Sequence, residues 1–326
     1  MSIPNVLVVL VNWRRSSDTI ECLKSLRRNT YGKFAVAVCE NGSNDGSDLA
    51  LRNYVREVTS AVETCESESD ETVLIGKELD RDRYYLIEST KNLGFAGGNN
   101  LAYRIASRFD LFDYVWFLNN DTEVGPEAIS SYVNKMTNDS SVGICGATLV
   151  YAHDRETVQA FGGARYNPFF GLVCEIGQGK KWPCNVDAAK IASDMTYVSG
   201  ASMFVSKEFL DQVGLMSEDY FLYFEELDWA LRARKSGFKM EYLSEVVVFH
   251  KEGAALGSGK SDKRSQLSEY YAIRNKLRIT LRFYPYAFPT VYLSSWLQVL
   301  KRLLQGRSRH ALLMAKVLIG TQRPMP

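Results

Sequence analysis

The sequence predicts an α/β protein built on a mostly parallel sheet with helices on both faces. Apolar, β-branched runs recur at Val6 to Val11, Phe34 to Cys39, Tyr84 to Ile87, Tyr114 to Leu118 and Val142 to Val150. Runs with no polar alternation belong to strands buried on both faces. Segments of helical spacing lie between them, so strand and helix alternate along the chain.

The first crossover helix is expected to open on an acidic cap at Asp18 with Glu21 three residues on. It presents Ile20, Leu23 and Leu26 on one face and closes on Lys24, Arg27 and Arg28, as the helix dipole favours. A second helix is predicted over Asn99 to Arg108, after Gly98, and a third after Pro126, a residue suited to a first helical turn. The stretch from Arg56 to Asp82 holds nine acids against three bases and reads as an exposed, mobile insertion at about 56–82. From Phe224, FEELDWALRARKSG reads as a helix stopped by Gly237, and MEYLSEVVVFH as a strand. The Gly/Ser/Lys-rich stretch at about 252–268 is expected to form a flexible lid. Residues 276–326 read as basic amphipathic helices. Pro285, Pro289 and several polar residues interrupt the apolar run, which falls short of the ~20 apolar residues of a membrane span. An interfacial helix fits the pattern; the alternative is a helix pair packed on the domain or at a dimer interface.

Composition narrows the class. With 326 residues, 46% hydrophobic and 24% charged, the chain can bury a sizeable core and is not disordered, collagenous or disulfide-stapled. Its six cysteines stand singly, which points to reduced thiols in the cytosol and away from a zinc site. The N-terminus lacks the pattern of a signal peptide. A net charge of +1 hides an asymmetry: residues 251–326 hold 14 Lys/Arg and 3 Asp/Glu. A basic tail suits an anionic membrane face or nucleic acid. Its bases are interleaved with Leu and Val rather than with stacking aromatics, so no nucleic-acid partner is expected.

Three segments carry chemistry. In FLNNDTEV a hydrophobic strand ends in Asn119, Asn120, Asp121 and Glu123; carboxylates at the carboxyl edge of a buried parallel strand are costly unless they meet a cation or ligand. Asp121 is the first candidate metal ligand, the plain alternative being an Asn/Asp turn before the next helix. ENGSNDGS puts the acid Glu40 at a strand end before a Gly/Asn turn. NLGFAGGNN puts Gly94, Gly97 and Gly98 before a helix, where backbone can approach a ligand near a positive helix end, yet it is not GxGxxG.

Taken in order, VNW, ENGSNDGS, NLGFAGGNN, FLNND, YVSGASMFV, FLYFEELDWALR and FH resemble glycosyltransferase family 2, in its rhamnosyltransferase-like bacterial branch, over residues 5 to 275. The resemblance implies a GT-A fold over residues 1–275, a nucleotide-diphosphate-sugar donor (a dTDP- or UDP-sugar, dTDP-L-rhamnose among them), Mg²⁺ or Mn²⁺, and inversion at the anomeric carbon. It makes Asp121 a metal ligand, leaves Asn119 at the family's first acidic position, and puts His250 where some members supply a second ligand. Val11, Asn12, Glu40, Asn41, Asn92, Gly94, Phe95, Gly97, Asn100, Asn119 and Asn120 fall at nucleotide-sugar positions. Glu40 stands where relatives usually have Asp contacting the nucleoside. Glu225 and Glu226 match a Glu-Asp pair whose second member is the base, so Glu226 is the expected base, with Asp228 its rival. On an ideal helix 225 and 228 share a face while 226 points about 100° away. The plain alternative for this cluster is acids placed against a helix dipole.

The expected function is therefore a metal-dependent inverting glycosyltransferase on the cytoplasmic face of the inner membrane. Its acceptor would be a lipid-linked or surface-polysaccharide precursor, such as a polyprenyl-diphosphate-linked glycan, and peripheral membrane attachment would come through the C-terminal helices. A homodimer is compatible with the sequence. The alternative is a nucleotide-sugar-binding protein whose chemistry has lapsed, because Asn119 and Glu226 replace the usual acids.

Overall fold

The computed structural model describes residues 3–59, 61–66, 72–77, 83–251 and 265–321. In chain order the elements are β1 (Val6–Asn12), α1 (Ser16–Leu26), β2 (Phe34–Asn41), α2 (Ser47–Val58), β3 (Ala61–Glu66), β4 (Thr72–Lys77), β5 (Arg83–Ser89), α3 (Gly94–Ala106), β6 (Tyr114–Leu118), β7 (Thr122–Val124), α4 (Ala128–Asn138), β8 (Val142–Tyr151), β9 (Asp154–Phe161), β10 (Gly163–Asn167), β11 (Leu172–Glu175), α5 (Ala188–Asp194), β12 (Tyr197–Val198), β13 (Ser202–Ser206), α6 (Lys207–Val213), α7 (Glu225–Lys235), β14 (Lys239–His250), α8 (Gln266–Phe283), α9 (Phe288–Leu304) and α10 (Ser308–Leu318).

The main sheet runs β3-β4-β5-β2-β1-β6-β13-β8-β14-β7, with β9 paired to β8. Strands β5, β2, β1 and β6 are parallel, so their carboxyl ends open on one edge. Beyond them β13 runs antiparallel to both β6 and β8, and β14 returns parallel to β8. Strand β1 shows why the apolar runs became strands. Leu7 and Val9 enter the core on one face and Val6, Val8 and Leu10 the core on the other, all fully buried. Each such side chain contributes about 1.5–3 kcal/mol by leaving water. A smaller sheet, β11-β10-β12, stands beside the main one.

Several expectations need correction. Helix α1 starts at Ser16 with no side-chain cap; Asp18 lies inside its first turn, ion-paired to Arg15 and to Lys251. Helix α3 starts at Gly94, five residues before the predicted start, because the glycines lie inside the helix rather than ahead of it. The acid-rich segment does not lack regular structure: β3 and β4 form an antiparallel hairpin that extends the sheet from β5, with Val73 and Leu74 buried. Charge density hid the apolar run TVLIG. Residues 67–71 and 78–82 of that segment, and 252–264 of the expected lid, lie outside the described residues. The boundary drawn at 275/276 falls in the middle of α8, a single helix that packs on both the loop before α7 and the C-terminal helices.

Among the described residues no helix is long and apolar enough to cross a membrane. Helices α8, α9 and α10 are tied by the buried Glu269, which accepts from Arg302 Nε at 2.7 Å and His310 Nδ1 at 2.6 Å. The thiols of Cys22, Cys145, Cys174 and Cys184 form no disulfide, and burial pushes that of Cys22 up to about 12.

Candidate functional site

At the carboxyl edge of the parallel strands, where strand direction reverses between β6 and β13, lies a cavity of about 290 Å³. Open α/β sheets bind ligands at such an edge. Val11, Asn41, Asn92, Gly94, Phe95, Asn119, Asn120, Asp121, Glu225, Glu226 and His250 line it, so strands, loops and helix predicted from far-apart segments converge.

The register of the sheet brings Asp121 to His250. Leu118 ends β6, and the short β7 turns back to pair with the end of β14, setting His250 opposite Thr122. Lys251 N–H donates to the Asp121 carbonyl at 3.0 Å, and Asn119 N–H to the Ala201 carbonyl at 3.0 Å, so the loop is pinned from both sides. His250 Nε2 lies 3.1 Å from Asp121 Oδ1 and 3.2 Å from Asn119 Nδ2, while Nδ1 faces Gln159 Oε1 at 2.9 Å. The contact with Gln159 orients the ring so that Nε2 faces Asp121 and Asn119. Burial raises the Asp121 carboxyl, but the charge and hydrogen bond of His250 outweigh it and hold the group below its ordinary value.

The residues around Asp121 fit a nucleotide-borne divalent ion. A carboxylate oxygen and an imidazole nitrogen meet at the cavity wall, and no group of three His, Cys, Asp or Glu is gathered among the described residues. Hard cations that bridge phosphates need only one or two protein donors, the rest of the shell being phosphate and water.

Behind this wall runs a buried polar chain. Asn120 Nδ2 donates to Thr19 Oγ1 at 2.8 Å, Thr19 Oγ1 to Asn12 Oδ1 at 2.7 Å, and Asn12 Nδ2 to Glu40, whose other oxygen accepts from Ser43 N–H at 2.7 Å. Asn12 and Glu40 are therefore not in the cavity. Both carboxylate oxygens of Glu40 are used inside the protein, which orders the ENGSN turn, and burial raises its carboxyl above the ordinary value. Asn41 stitches that turn to the next segment, donating to Gly94 O at 3.1 Å and accepting from Leu93 N–H at 2.9 Å.

Gly94 has φ +74°, and a Cβ there would sit 2.3 Å from the Phe221 carbonyl oxygen, the acceptor of Phe95 N–H at 2.8 Å. Only glycine lets the start of α3 close onto the loop before α7. Gly97 and Asn100 also lie outside the cavity. A Cβ at Gly97 would meet Leu93, and Asn100 donates to the Met216 carbonyl and to Glu218, each at 2.9 Å.

The loop leading into α7 is strained: Phe221, Tyr223 and Phe224 have φ of +66°, +67° and +75°, values costly for residues with bulky side chains. Asn275 of α8, fully buried, holds it by donating to the carbonyls of Tyr220 (2.7 Å), Leu222 (2.7 Å) and Tyr223 (3.1 Å). The result delivers Glu225 and Glu226 to the cavity, each with one buried carboxylate oxygen, Oε2, that has no hydrogen-bond partner. Burial raises both carboxyls, Glu226 to about 7; repulsion from Glu226 raises Glu225 further. Asp228 is corrected to a structural role. It is fully buried and away from the cavity, held by Arg232 Nε at 2.7 Å, Arg282 at 2.8 Å and the Tyr220 hydroxyl at 2.9 Å.

Sequence reasoning missed Trp13, Ser199, Phe221, Tyr223 and Leu267, which line the cavity, and Gln159, which orients His250. Trp13 and Phe221 stood inside motifs already noted; Gln159 is one polar residue in an alternating strand and carried no signal.

The open sheet with a crevice at its reversal is the GT-A fold of glycosyltransferases, and here the crevice holds a carboxylate–imidazole pair on one side and two glutamates lining the same space. The chain belongs to glycosyltransferase family 2: the family model described as "Glycosyltransferase like family 2" matches residues 4–266. It is 22% identical over 213 residues to the low-salt glycan biosynthesis hexosyltransferase Agl10 of Haloferax volcanii, covering 64% of this chain and 65% of that one. It is 25% identical over 210 residues to the dTDP-rhamnosyl transferase RfbF of Shigella flexneri, covering 61% and 64%. The chain thus spans just under two thirds of the length of these curated relatives. Among solved structures, the mannosyltransferase PcManGT from Pyrobaculum calidifontis, in complex with GDP-Man and Mn²⁺, superposes with a TM-score of 0.54 at 14% identity, over 98% of this chain and 86% of that one. GalNAc-T7, solved with UDP, GalNAc and Mn²⁺, superposes with a TM-score of 0.60 at 13% identity, over 97% and 55%. These likenesses show the GT-A fold.

Proposed function

We propose that the protein is a metal-dependent inverting glycosyltransferase that moves a sugar from a nucleoside-diphosphate donor, dTDP-L-rhamnose or a UDP-sugar among the candidates, to a hydroxyl of a lipid-linked or surface-polysaccharide precursor at the cytoplasmic face of the membrane. The observation that carries this reading is the unpartnered Oε2 of Glu225 and of Glu226 in the cavity that also holds Asp121 and His250. Buried carboxylate oxygens without a donor are expensive, and a bound hydroxyl would supply one.

Glu226 acts as the base. It takes the acceptor hydroxyl proton as that oxygen forms its bond to the anomeric carbon. The electrons of the breaking carbon–oxygen bond leave with the nucleoside diphosphate on the opposite face, which inverts the configuration. Glu225, whose carboxyl is raised by burial and by its neighbour, is suited when protonated to donate a hydrogen bond to a sugar or acceptor oxygen. Asp121 and His250 would hold Mg²⁺ or Mn²⁺, which when bound neutralises charge on the departing diphosphate. Trp13 offers a flat apolar wall to the nucleobase or sugar.

Purified protein is incubated with dTDP-, UDP- and GDP-sugars, with Mn²⁺ or chelator, and released nucleoside diphosphate is measured alongside Asp121→Ala and Glu226→Gln. Metal-dependent release from one donor, lost in both variants, supports the reading. Nucleotide binding without release, with membrane extract supplied as acceptor, favours a lapsed enzyme, the reading that Asn119 in place of an acid also suits.

A further inference from the structure

Of the seventeen large hydrophobic side chains exposed among the described residues, thirteen belong to α8–α10 and their linkers or to the β10–β11 hairpin. On α9, Leu293, Leu297, Leu300 and Leu304 are each more than half exposed. At 100° per residue they fall within about 60° of one another, roughly opposite the buried Val291, Ser295 and Val299. The stripe is therefore not the packing face of the helix but the face turned away from the protein.

The hairpin tip continues this surface. Phe169, Phe170, Leu172 and Val173 are about half exposed, and the tip is fixed beside the stripe by Thr290 and Ser294, whose hydroxyls donate to the carbonyls of Phe169 and Phe170. Phe169 also meets the exposed Tyr286 edge-on at 5.9 Å. On α10, Leu312 and Ile319 share their outward face with Arg309 and Lys316. After Glu269 the chain holds ten Lys/Arg and no Asp or Glu.

We infer that the outer face of α9, with α10 and the β10–β11 tip, is one interfacial surface that seats on an anionic lipid bilayer, apolar side chains reaching the acyl boundary and Lys301, Arg309 and Lys316 meeting the headgroups. Charge complementarity decides the occupant. A surface with bases and no acids repels a second copy of itself but is drawn to anionic lipid. The surface reaches the catalytic loop through the hairpin, since Tyr166 of β10 packs edge-on against Phe224, the residue before Glu225, with ring centroids 6.2 Å apart. This deepens, and rests on, the reading of a lipid-linked acceptor, because a docked enzyme would face a substrate held in the same membrane.

The test is flotation of the full chain with phosphatidylcholine vesicles, with and without about 30 mol% phosphatidylglycerol, at low and high salt. Two variants are run alongside, Leu297→Glu/Leu300→Glu/Leu304→Glu and Phe169→Ser/Phe170→Ser, with circular dichroism and gel filtration on each. Expected are salt-sensitive binding to the anionic vesicles only and a loss of about tenfold or more in both variants at unchanged fold. Three results would each overturn the inference: no vesicle binding by the wild type, binding untouched by the leucine variant, or a wild-type dimer that the leucine variant converts to monomer. Loss in the leucine variant alone would remove the hairpin from the surface. Vesicle binding needs no donor turnover, so its failure and that of the enzymatic reading are told apart by the nucleotide-release assay.

Discussion

Replacing Asn275 by alanine removes a single amide that serves three carbonyls of the loop delivering Glu225 and Glu226. The amide has two N–H donors, so one contact is shared, and at about 0.5–1.5 kcal/mol net per donor the loss should total about 1–3 kcal/mol, near the upper part of that range because the amide is fully buried. The same three bonds hold Phe221, Tyr223 and Phe224 at positive φ, and each of those conformations costs roughly 1–3 kcal/mol that something else must offset. Without Asn275 the loop has reason to relax toward negative φ and to carry the glutamates out of register. Chemical denaturation followed by circular dichroism gives the stability change, and nucleotide release gives kcat and KM. We expect about 3 kcal/mol of destabilisation and, at a temperature where the variant is folded, a fall in kcat much larger than any change in KM. Asn275→Asp, which keeps the shape but loses the donors, should behave alike. A loss under about 1 kcal/mol with kcat intact would refute the idea that this side chain holds the loop.

Because burial raises both glutamates, the folded state binds more protons than the unfolded one. The contribution of Glu226 is fully present below the ordinary value of 4.5 and is lost as pH rises through about 7; that of Glu225 is lost in the same direction. Denaturation midpoints should therefore fall over that window by the equivalent of about 3 kcal/mol from Glu226 alone, and Glu226→Gln should flatten the slope. Turnover should climb over the same window as Glu226 ionises, and Glu226→Gln should cost about 10²–10⁴ in kcat. Asp228→Asn should behave oppositely, losing about 3 kcal/mol of stability by weakening a buried pair with Arg232 and Arg282 while keeping the shape of the pH–rate profile. Gly94→Ala should destabilise by 2 kcal/mol or more, on the order expected for a strained φ with a backbone clash, readable as a lower melting temperature.

The strands of the main sheet were legible because burial on both faces leaves nothing polar along them; β6 matches the predicted Tyr114 to Leu118 at both ends. The meeting of Asp121 with Glu225, Glu226 and His250 was legible because each stands at a strand or helix end in the family order. Other features depend on pairing that no local pattern encodes. The β3–β4 hairpin hides its apolar run among acids, and α2 follows a glycine turn that draws attention to itself. The family resemblance puts Asn12 and Glu40 at ligand-facing positions, yet one satisfies the other, and only the three-dimensional neighbourhood tells a binding carboxylate from an occupied one. Asp228 likewise needed the two arginines that reach it from α7 and α8.

The pinning of residues 119–121 by main-chain bonds to Ala201 and Lys251 separates placement from identity at the metal-side wall. Backbone groups fix where these positions stand, so side chains there can be exchanged without dismantling the frame that presents them. Asn119→Asp is a change the scaffold should accept, and it would turn the wall into a tunable module whose affinity for cation and donor can be altered one residue at a time.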